Sequence, residues 1–474
     1  MFSRKPAPVS VDRPWTFKSD SFRKFREHHQ SSLILTPNSR YTLLLSLFLA
    51  SWFLLLFWST PPSASATRKF LPPKAQCDGT VSVYVYNLPP RFNLRLLTHC
   101  QNLNIYTNMC PHVANHGLGQ PIPNYMSLSS ATATWYATHQ FIAEMIIHAR
   151  VENHPCRTWD PAKADLFYVP FYGGLHASSM FRVANHTLRD ELAVDLVRYL
   201  QDQPPWQKHN GKDHFLALGR TAWDFMRTED APDFGANILL NLPPVQNMSV
   251  LTVERQPWKG SNQYGIPYPS YFHPMTVSEL ERWQRTVTES ERPYLFSFVG
   301  GPRKGLEKAA IRGEILRQCD ESTRCKLLKC GGDAGGVRCH EPSVVLDVMT
   351  KSEFCLQAPG DSFTRRSTFD SVLAGCIPVF FSQHTAYSQY AWYMRAEEKE
   401  AYSVFMDEKG EESKMIEEEL MKIPSEEVKR MRENVIKMIP RLTYAHPNAS
   451  NVGFKDAVDI ALAQLSRVVQ AKIN

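Results

Sequence analysis

The sequence contains 474 residues, of which 43% are hydrophobic and 21% are charged, which is an ordinary globular composition in a chain too long for one compact domain. The formal net charge is +6, but residues 1–40 hold eight Lys or Arg residues against three acidic residues and account for most of it. Because the rest of the chain is nearly neutral, no basic groove is required of the folded part, and nucleic acid is excluded as a partner.

Residues 41–59 form an apolar run of 19 residues without a charge, close to the roughly 20 residues that a membrane-spanning helix needs. A secretory signal peptide would begin nearer the amino terminus, and a buried core helix would not need so uninterrupted a run. Since an excess of positive charge stays cytosolic, the basic residues 1–40 predict a single-pass type II protein with a lumenal remainder. Residues 60–76 are rich in Pro, Ser and Ala, as in an extended stem.

All ten cysteines follow the apolar run, and an even number in an oxidising compartment predicts disulfide bonds, whose connectivity cannot be read from spacing. Zinc is the alternative for the four cysteines between residues 319 and 339, which precede His340. Their spacing lacks the C-x2-C pairs of most structural zinc sites, so we favour disulfides there. Sequons for N-glycosylation, open to modification in the lumen, begin at Asn185, Asn247 and Asn448.

The predicted lumenal part alternates short apolar strands with helical segments, a pattern that indicates parallel sheets. The predicted strands are residues 81–86, 165–171, 214–218 and 238–242 in the first half and residues 294–299, 354–357 and 377–381 in the second. Two such stretches predict two α/β domains, residues 77–285 and 286–474. The charged residues from 397 onward are interpreted as helices that close the second domain.

One segment, residues 354–381, has the pattern of a strand, a loop, a helix and a second strand. Gly360 permits a tight turn, and Asp361 or Ser362 can cap a helix predicted over residues 363–374. The amino terminus of that helix would offer free N–H groups and a partial positive charge. Both features suit a diphosphate.

Two arginines and an aspartate fall at the start of this predicted helix. Arg365 and Arg366 lie in its first turn, where guanidinium groups can grip phosphate oxygens. Asp370 follows Arg366 by four residues and therefore lies on the same face, where a carboxylate can accept ribose hydroxyls. The spacing predicts a nucleotide-diphosphate site, and an ordinary ion pair on a helix surface is the alternative.

The same segment resembles the donor-site signature of the exostosin-like glycosyltransferases, and PGDSFTRRSTFDSVLAGCIPVFF is similar to the plant branch that includes the xyloglucan galactosyltransferases. Further stretches resemble that branch in the same order: VYVYNLPPRFN, WDPAKADLFYVPFYGG, GKDHFLALGRTAWDF, IPYPSYFHP and LFSFVGGPRKG. The resemblance implies an α/β fold of the GT-B type, in which two Rossmann-like domains face a cleft and the second binds the donor. It also implies inversion at the anomeric carbon.

The resemblance further implies UDP-galactose as donor, xyloglucan as acceptor, a β-linked product and a Golgi membrane location in cell-wall biosynthesis. A complex with other Golgi glycosyltransferases is left open. The alternatives are a related transferase of galacturonic acid or arabinose, or a non-catalytic polysaccharide-binding partner of a Golgi transferase complex. The presence of Arg365, Arg366 and Asp370 favours an enzyme, because a non-catalytic partner does not need residues that bind phosphate.

The sequence contains no Asp-x-Asp motif, with which many sugar-nucleotide enzymes hold a metal ion, so we expect a reaction without metal or other cofactor. A departing UDP must then be stabilised by cations. Arg303 and Lys304 lie in a Gly-rich loop between a predicted strand and a predicted helix, where backbone and side chains can both reach phosphate. A solvated loop without a ligand is the alternative, and the resemblance favours donor contact by both residues.

An inverting displacement also needs a general base to take the proton of the acceptor hydroxyl, and we expect that base in the first domain. Asp224 follows the predicted strand 214–218 by a short loop, and His273 is a second candidate. Aromatic side chains of the same domain can stack on acceptor sugars or, alternatively, pack in the core: Trp223, Tyr268 and Tyr271.

Overall fold

The computed structural model describes residues 46–52, 77–79, 81–123, 133–230, 234–331, 338–449 and 452–473. The chain divides into two compact units, residues 1–71 and residues 72–474. In the first unit the described residues are helical and belong to the predicted anchor. The predicted basic tail, the stem and the rest of the anchor lie outside the described residues. Among the helices that are described, none is both long enough and apolar enough to span a bilayer.

A six-stranded parallel sheet begins the second unit, with the spatial order β2-β1-β3-β4-β5-β6. Its strands are Val83–Val85 (β1), Arg157–Thr158 (β2), Leu166–Val169 (β3), His214–Thr221 (β4), Ser249–Glu254 (β5) and Gln263–Gly265 (β6). Every residue of β3 and β5 is buried, as expected for a parallel sheet that is covered on both faces.

A five-stranded parallel sheet follows, with the spatial order β11-β10-β9-β7-β8. Its strands are Tyr294–Gly300 (β7), Cys325–Lys329 (β8), Ser352–Gln357 (β9), Ile377–Phe380 (β10) and Val404–Phe405 (β11). The predicted α/β class with parallel sheets is therefore confirmed. The predicted domain limits of 77–285 and 286–474 stay a prediction.

The α-helices of this unit connect the strands and cover the sheets. They are Cys110–Val113 (α1), Ala143–Glu152 (α2), Gly173–Met180 (α3), His186–Gln201 (α4), Pro204–His209 (α5), Pro243–Asn247 (α6), Val277–Glu289 (α7), Ile311–Glu321 (α8), Pro342–Thr350 (α9), Ser367–Leu373 (α10), Ala386–Gln389 (α11), Ile416–Met421 (α12), Ser425–Leu442 (α13) and Ala457–Ile473 (α14). The last helix packs against α2 and β3 of the first sheet, beside an ion pair of 2.9 Å between Arg150 and Asp456.

The carboxyl ends of the two sheets contact each other. The hydroxyl of Tyr390, just after α11, donates to the carbonyl oxygen of Val253 in β5 at 2.6 Å. The backbone N–H of Arg255 donates to the side-chain oxygen of Gln389 at 2.8 Å. Because ligands of parallel sheets bind beyond the carboxyl ends of the strands, this contact region is where a site is expected.

The predicted strand at residues 238–242 is wrong. The segment forms a 3-10 turn, Leu239–Asn241, and the strand of this region is β5, which the sequence reasoning missed. The cause is local, because Pro243 and Pro244 follow at once and begin α6. Proline lacks the N–H that a central strand must donate, so the short apolar run could not continue into a sheet.

The prediction of disulfide bonds is confirmed, and the zinc alternative is wrong. The ten cysteines pair as Cys77–Cys156, Cys100–Cys110, Cys319–Cys325, Cys330–Cys339 and Cys355–Cys376. A zinc ligand must be a free thiolate, and the four cysteines between residues 319 and 339 are joined to one another instead. The last bridge links β9 to the residue before β10 and so closes the segment that contains the predicted donor site.

Candidate active site

Two loops at the carboxyl edge of the second sheet contain most of the predicted donor-site residues. The β7 loop, residues 301–306, carries Arg303 and Lys304. The β9 loop, residues 358–366, carries Gly360, Asp361, Ser362, Arg365 and Arg366. Since β7 and β9 are neighbouring parallel strands, both loops leave the same edge of the sheet.

The buried Arg312 of α8 fastens these two loops together. Its Nη1 donates to the carbonyl oxygen of Gly301 in the β7 loop at 3.0 Å. Its Nη2 and Nε donate to the carbonyl oxygens of Ala358 and Pro359 in the β9 loop, at 3.1 and 2.5 Å. Three charge-assisted hydrogen bonds from one planar group set the spacing of the two loops.

One guanidinium nitrogen of Arg365 is buried and has no hydrogen-bond partner among the described residues. The other terminal nitrogen, Nη1, donates to the hydroxyl of Ser362 at 3.1 Å and to the carbonyl oxygen of Thr364 at 3.0 Å. A Cβ atom added to Gly360 would lie 1.9 Å from the unpartnered Nη2, so glycine is what lets the guanidinium lie against this loop. A buried donor without an acceptor is costly, and an anion arriving at Nη2 would remove that cost.

Positive charge dominates this part of the site. The exposed Asp361 lies between Arg303, whose Nε is 3.2 Å from its carboxylate, and Arg365, whose Nη2 is 3.9 Å away. Lys304 is exposed beside them. Burial, followed by the positive charges of Arg365 and Arg303, lowers the pKa of Arg312 to about 10. One carboxylate thus faces several cations. A diphosphate can take the place of the Asp361 carboxylate beside these cations.

The half-buried Arg366 and the buried Asp370 form an ion pair that contacts residues from the first half of the chain. Arg366 Nε lies 3.3 Å from the carboxylate of Asp370, and its Nη1 donates to the carbonyl oxygen of Thr138 at 2.9 Å. Ser270 donates its hydroxyl to Asp370 at 2.5 Å, and the guanidinium carbon of Arg366 lies 3.8 Å from the ring centroid of Tyr271. Burial raises the pKa of Asp370 although Arg366 opposes it. The alternative of a surface ion pair is therefore wrong, and the predicted contacts of both residues with a donor stay a prediction.

The helix after the β9 loop begins later than predicted. α10 spans Ser367–Leu373, so Arg365 and Arg366 precede it and do not lie in its first turn. The N–H groups of Phe363 and Thr364, expected to be free, both donate to a carboxylate of the first sheet, that of Glu254. The prediction of a free helix terminus at residue 363 is wrong, because a long-range partner takes these groups and keeps the segment non-helical.

Glu254 is a site residue that the sequence reasoning missed. It is the last residue of β5 and is fully buried. Its Oε1 accepts the indole N–H of Trp223 at 3.1 Å and the N–H of Phe363 at 3.2 Å, and its Oε2 accepts the N–H of Thr364 at 2.9 Å. An acidic residue at the end of an apolar run, SVLTVE, was the available signal, since a strand end faces the ligand-binding edge.

Asp224 lies in a 3-10 turn, Ala222–Phe225, directly after β4. Its Oδ2 accepts from Arg220 Nε at 2.6 Å and from the Thr221 hydroxyl at 3.2 Å. The other oxygen, Oδ1, makes no hydrogen bond to the residues that the structure describes. Asp224 therefore lies at the carboxyl edge of the first sheet, in the position predicted for it, with one oxygen available.

His273 is buried with both ring nitrogens engaged. Nε2 lies 2.8 Å from the hydroxyl of Thr138, and Nδ1 lies 2.8 Å from the carbonyl oxygen of Tyr444. Burial lowers its pKa to about 4. Because no ring nitrogen is free to take a proton, this environment fits a structural histidine. Tyr268 and Tyr271 are also buried, which agrees with packing in the core, the alternative to stacking on acceptor sugars.

A second buried carboxylate, Glu144 of α2, lies beneath the carboxyl edge of the first sheet. It accepts the backbone N–H groups of Gly174 and Leu175 at 2.8 Å each and that of Gly219 at 3.1 Å. Burial raises its pKa to about 7, although these hydrogen bonds oppose the shift. Glu144 thereby ties the ends of β3 and β4, from which the Asp224 turn continues.

Comparison with known proteins identifies the family. The exostosin GT47 domain matches residues 77–420. Over 460 residues the chain is 58% identical to "Probable xyloglucan galactosyltransferase GT17" of Arabidopsis thaliana, covering 97% of this chain and 96% of that protein. It is 45% identical to "Xyloglucan galactosyltransferase MUR3" of the same plant, covering 83% and 63% of the two chains. The chain therefore belongs to the exostosin GT47 family, and it is a glycosyltransferase.

Solved structures overlap more weakly. The crystal structure of a GtfA/B complex aligns with a TM-score of 0.32 and 11% identity over 59% of this chain and 60% of that one. The crystal structure of Arabidopsis thaliana UGT89C1 with quercetin aligns with a TM-score of 0.30 and 11% identity over 81% and 99%. At such scores these overlaps carry no weight for the fold or the site.

Proposed function

We propose that this chain transfers galactose from UDP-galactose to the side chains of xyloglucan, with inversion, so that the product carries a β-linked galactose. The observation that carries the proposal is 58% identity over nearly the whole chain to a protein named for this activity. The cationic β7 and β9 loops support a nucleotide-sugar donor, because they gather guanidinium groups around a buried donor nitrogen that has no acceptor in the described part of the chain.

A GT-B arrangement is the architecture that we propose for this reaction. Two parallel sheets whose carboxyl-end loops touch support it, since each sheet then offers its ligand-binding edge to the other. The second sheet would hold the donor at the β7 and β9 loops. The first sheet would hold the acceptor near the loops that follow β4 and β5.

The β7 and β9 loops would stabilise the departing UDP. In the proposed complex, the diphosphate displaces the carboxylate of Asp361 and lies against Arg303, Lys304 and Arg365. Its charge then pairs with fixed cations at the moment when the sugar bond breaks. We propose that these side chains supply the stabilisation that a metal ion supplies elsewhere.

We propose Asp224 as the general base. The acceptor hydroxyl attacks the anomeric carbon from the face opposite UDP, and its proton passes to the carboxylate. The free Oδ1 and the position after β4 support this role, and Arg220 holds the other oxygen and so fixes the orientation of the carboxylate.

Direct transfer measurements test the proposal. The full chain is incubated with xyloglucan oligosaccharides and separately with UDP-galactose, UDP-galacturonic acid and UDP-arabinose, and product mass and linkage are read. A β-linked galactosyl product is expected. A product that carries galacturonic acid or arabinose instead would show that the proposed donor sugar is wrong. Absence of any transfer by a chain that still binds xyloglucan oligosaccharides would favour the non-catalytic partner.

We also propose a type II topology in the Golgi membrane, with the site in the lumen. The basic residues 1–40, the apolar residues 41–59 and the five disulfides support it, because disulfides persist in oxidising compartments. The exposed Asn185 provides a test. Expression in plant cells should yield a glycosidase-sensitive species that co-fractionates with Golgi membranes, and Asn185→Gln should lower its mass. An unglycosylated chain that is found in the cytosol would refute this topology.

A further inference from the structure

We propose that aromatic side chains from both sheets form a platform that binds the β-linked glucan backbone of the acceptor polysaccharide. This inference rests on the proposed function and specifies where its acceptor lies. The members of the aromatic platform are Trp223, Phe234, Trp258, Phe363 and His384.

The rings of the aromatic platform form a continuous cluster of edge-to-face pairs centred on Trp258. The ring centroids of Trp223 and Phe234 are 6.0 Å apart, and those of Trp223 and Trp258 are 6.1 Å apart. Trp258 then lies 5.7 Å from Phe363 and 5.2 Å from His384. The side chain of Trp258 is 62% exposed and that of Phe234 is 48% exposed. Such large exposed aromatic groups, supported by one another, are typical of a binding surface.

The chain topology places every member of the platform beyond the carboxyl end of a strand. Trp223 and Phe234 follow β4, Trp258 follows β5, Phe363 follows β9 and His384 follows β10. The platform thus bridges the edges of both sheets, where a donor and an acceptor must meet.

The platform is also continuous with the candidate donor site. Phe363 belongs to the β9 loop, two residues before the arginine with the unpartnered nitrogen. The indole N–H of Trp223 and the backbone N–H of Phe363 donate to the same carboxylate, that of Glu254. A chain bound along the rings would therefore lie next to the loop that holds the sugar to be transferred.

The chemistry of the platform fits a glucan better than a lipid surface. Aromatic faces carry partial negative charge and attract the C–H groups on the flat faces of β-linked glucose units. Polar groups border the rings, because Lys308 Nζ lies 5.3 Å from the ring centroid of Phe363 and His384 carries hydrogen-bonding nitrogens. Such groups can bond the hydroxyls at the edges of a sugar ring.

Binding in the absence of donor tests the platform. Titration calorimetry on the full chain measures the affinity for a xyloglucan oligosaccharide, for cellohexaose and for UDP, in the wild type and in Trp258→Ala and Phe234→Ala. We expect each substitution to weaken oligosaccharide binding roughly tenfold and to leave UDP binding unchanged. Trp159→Ala is the matched control, because Trp159 is 77% exposed outside the platform, and it should bind both ligands as the wild type does.

Three outcomes would overturn the platform. The first is an unchanged oligosaccharide affinity in both platform variants, and the second is an equal loss of oligosaccharide affinity in Trp159→Ala. The third is a loss of UDP affinity alone in the platform variants, which would mean that the rings bind the uracil base. A wild-type chain that transfers no sugar would refute the proposed function instead, and the donor-free titration would still decide the platform.

Discussion

The carboxylate of Glu254, at the end of β5, accepts the backbone N–H of Thr364 at 2.9 Å, so a residue of the first sheet fixes the loop of the second sheet that we assign to the donor. The same carboxylate also accepts from Phe363 and Trp223. The donor loop and the proposed acceptor platform are therefore held by one fully buried group. Disturbing it should affect both substrates.

Glu254→Gln should weaken UDP binding and lower stability. The substitution turns one acceptor oxygen into an N–H2 group that faces N–H donors, and an unsatisfied buried donor costs about 1–3 kcal/mol. We expect a lower thermal midpoint and a fall of about tenfold in UDP affinity, measured by scanning and titration calorimetry. Glu307→Gln is the control, because Glu307 is exposed just after the β7 loop. Wild-type UDP affinity in Glu254→Gln would show that the loop keeps its shape without this carboxylate.

Gly360→Ala should weaken UDP binding with little loss of stability. The added Cβ would meet Nη2 of Arg365 at 1.9 Å, and the flexible guanidinium would have to move away. Gly313→Ala in α8 is the matched control, since nothing lies within 4 Å of its added Cβ, and alanine in a helix should raise stability by up to about 1 kcal/mol. Equal UDP affinities in the two variants would argue against a phosphate contact by Arg365.

Arg366→Ala should destabilise the fold, whereas Arg365→Ala should mainly reduce UDP affinity. Arg366 pairs with the buried carboxylate of Asp370 and donates to the carbonyl oxygen of Thr138, and leaving a buried charge without its partner costs about 3–5 kcal/mol. Arg365 is partly exposed and has a buried nitrogen without a hydrogen-bond partner among the described residues. Denaturant unfolding and UDP titration separate the two effects. A stable Arg366→Ala chain would show that the pair contributes little to joining the two sheets.

The contribution of His273 to the stability of this protein should be lost as the pH drops below about 6.5, whereas the buried Glu144, whose pKa is raised to about 7, acts in the opposite sense. Burial lowers the folded-state pKa of His273 to about 4 from 6.5, so the unfolded chain binds a proton first and gains stability relative to the folded state. This contribution is complete above pH 6.5 and is lost progressively toward pH 4, to a total of roughly 3 kcal/mol.

His273→Gln should remove that contribution, so the free energy of unfolding of the variant should lose less than that of the wild type between pH 7 and pH 4.5. Urea unfolding at pH 7, 5.5 and 4.5 measures the slope of this free energy with pH, and His99→Gln, at an exposed histidine, is the control. The buried His176, whose pKa burial also lowers to about 4, should preserve part of the slope in the variant. An identical slope in His273→Gln and the wild type would contradict the assigned environment.

Local patterns predicted the strands well where the apolar run was long and clearly bounded. Residues 214–218 and 294–299 lie in β4 and β7, and residues 377–381 cover β10. The short run at 238–242 failed, because the prolines that follow it begin a helix. The neighbouring residues set the strand preference in such a case, and four apolar residues are too few to outweigh two prolines.

The sequence by itself determined the α/β class with parallel sheets and the position of basic residues on the loops that follow two strands, because hydrophobic periodicity and turn residues act over a few positions. Only the tertiary structure decided that Arg366 and the buried Asp370 contact Thr138 and Ser270, that Glu254 takes the N–H groups of the β9 loop, and which cysteines pair. Apart from three disulfides that span 6, 9 and 10 residues, the contacts involved join residues 21 to 228 positions apart, and contacts over such distances depend on how whole sheets pack.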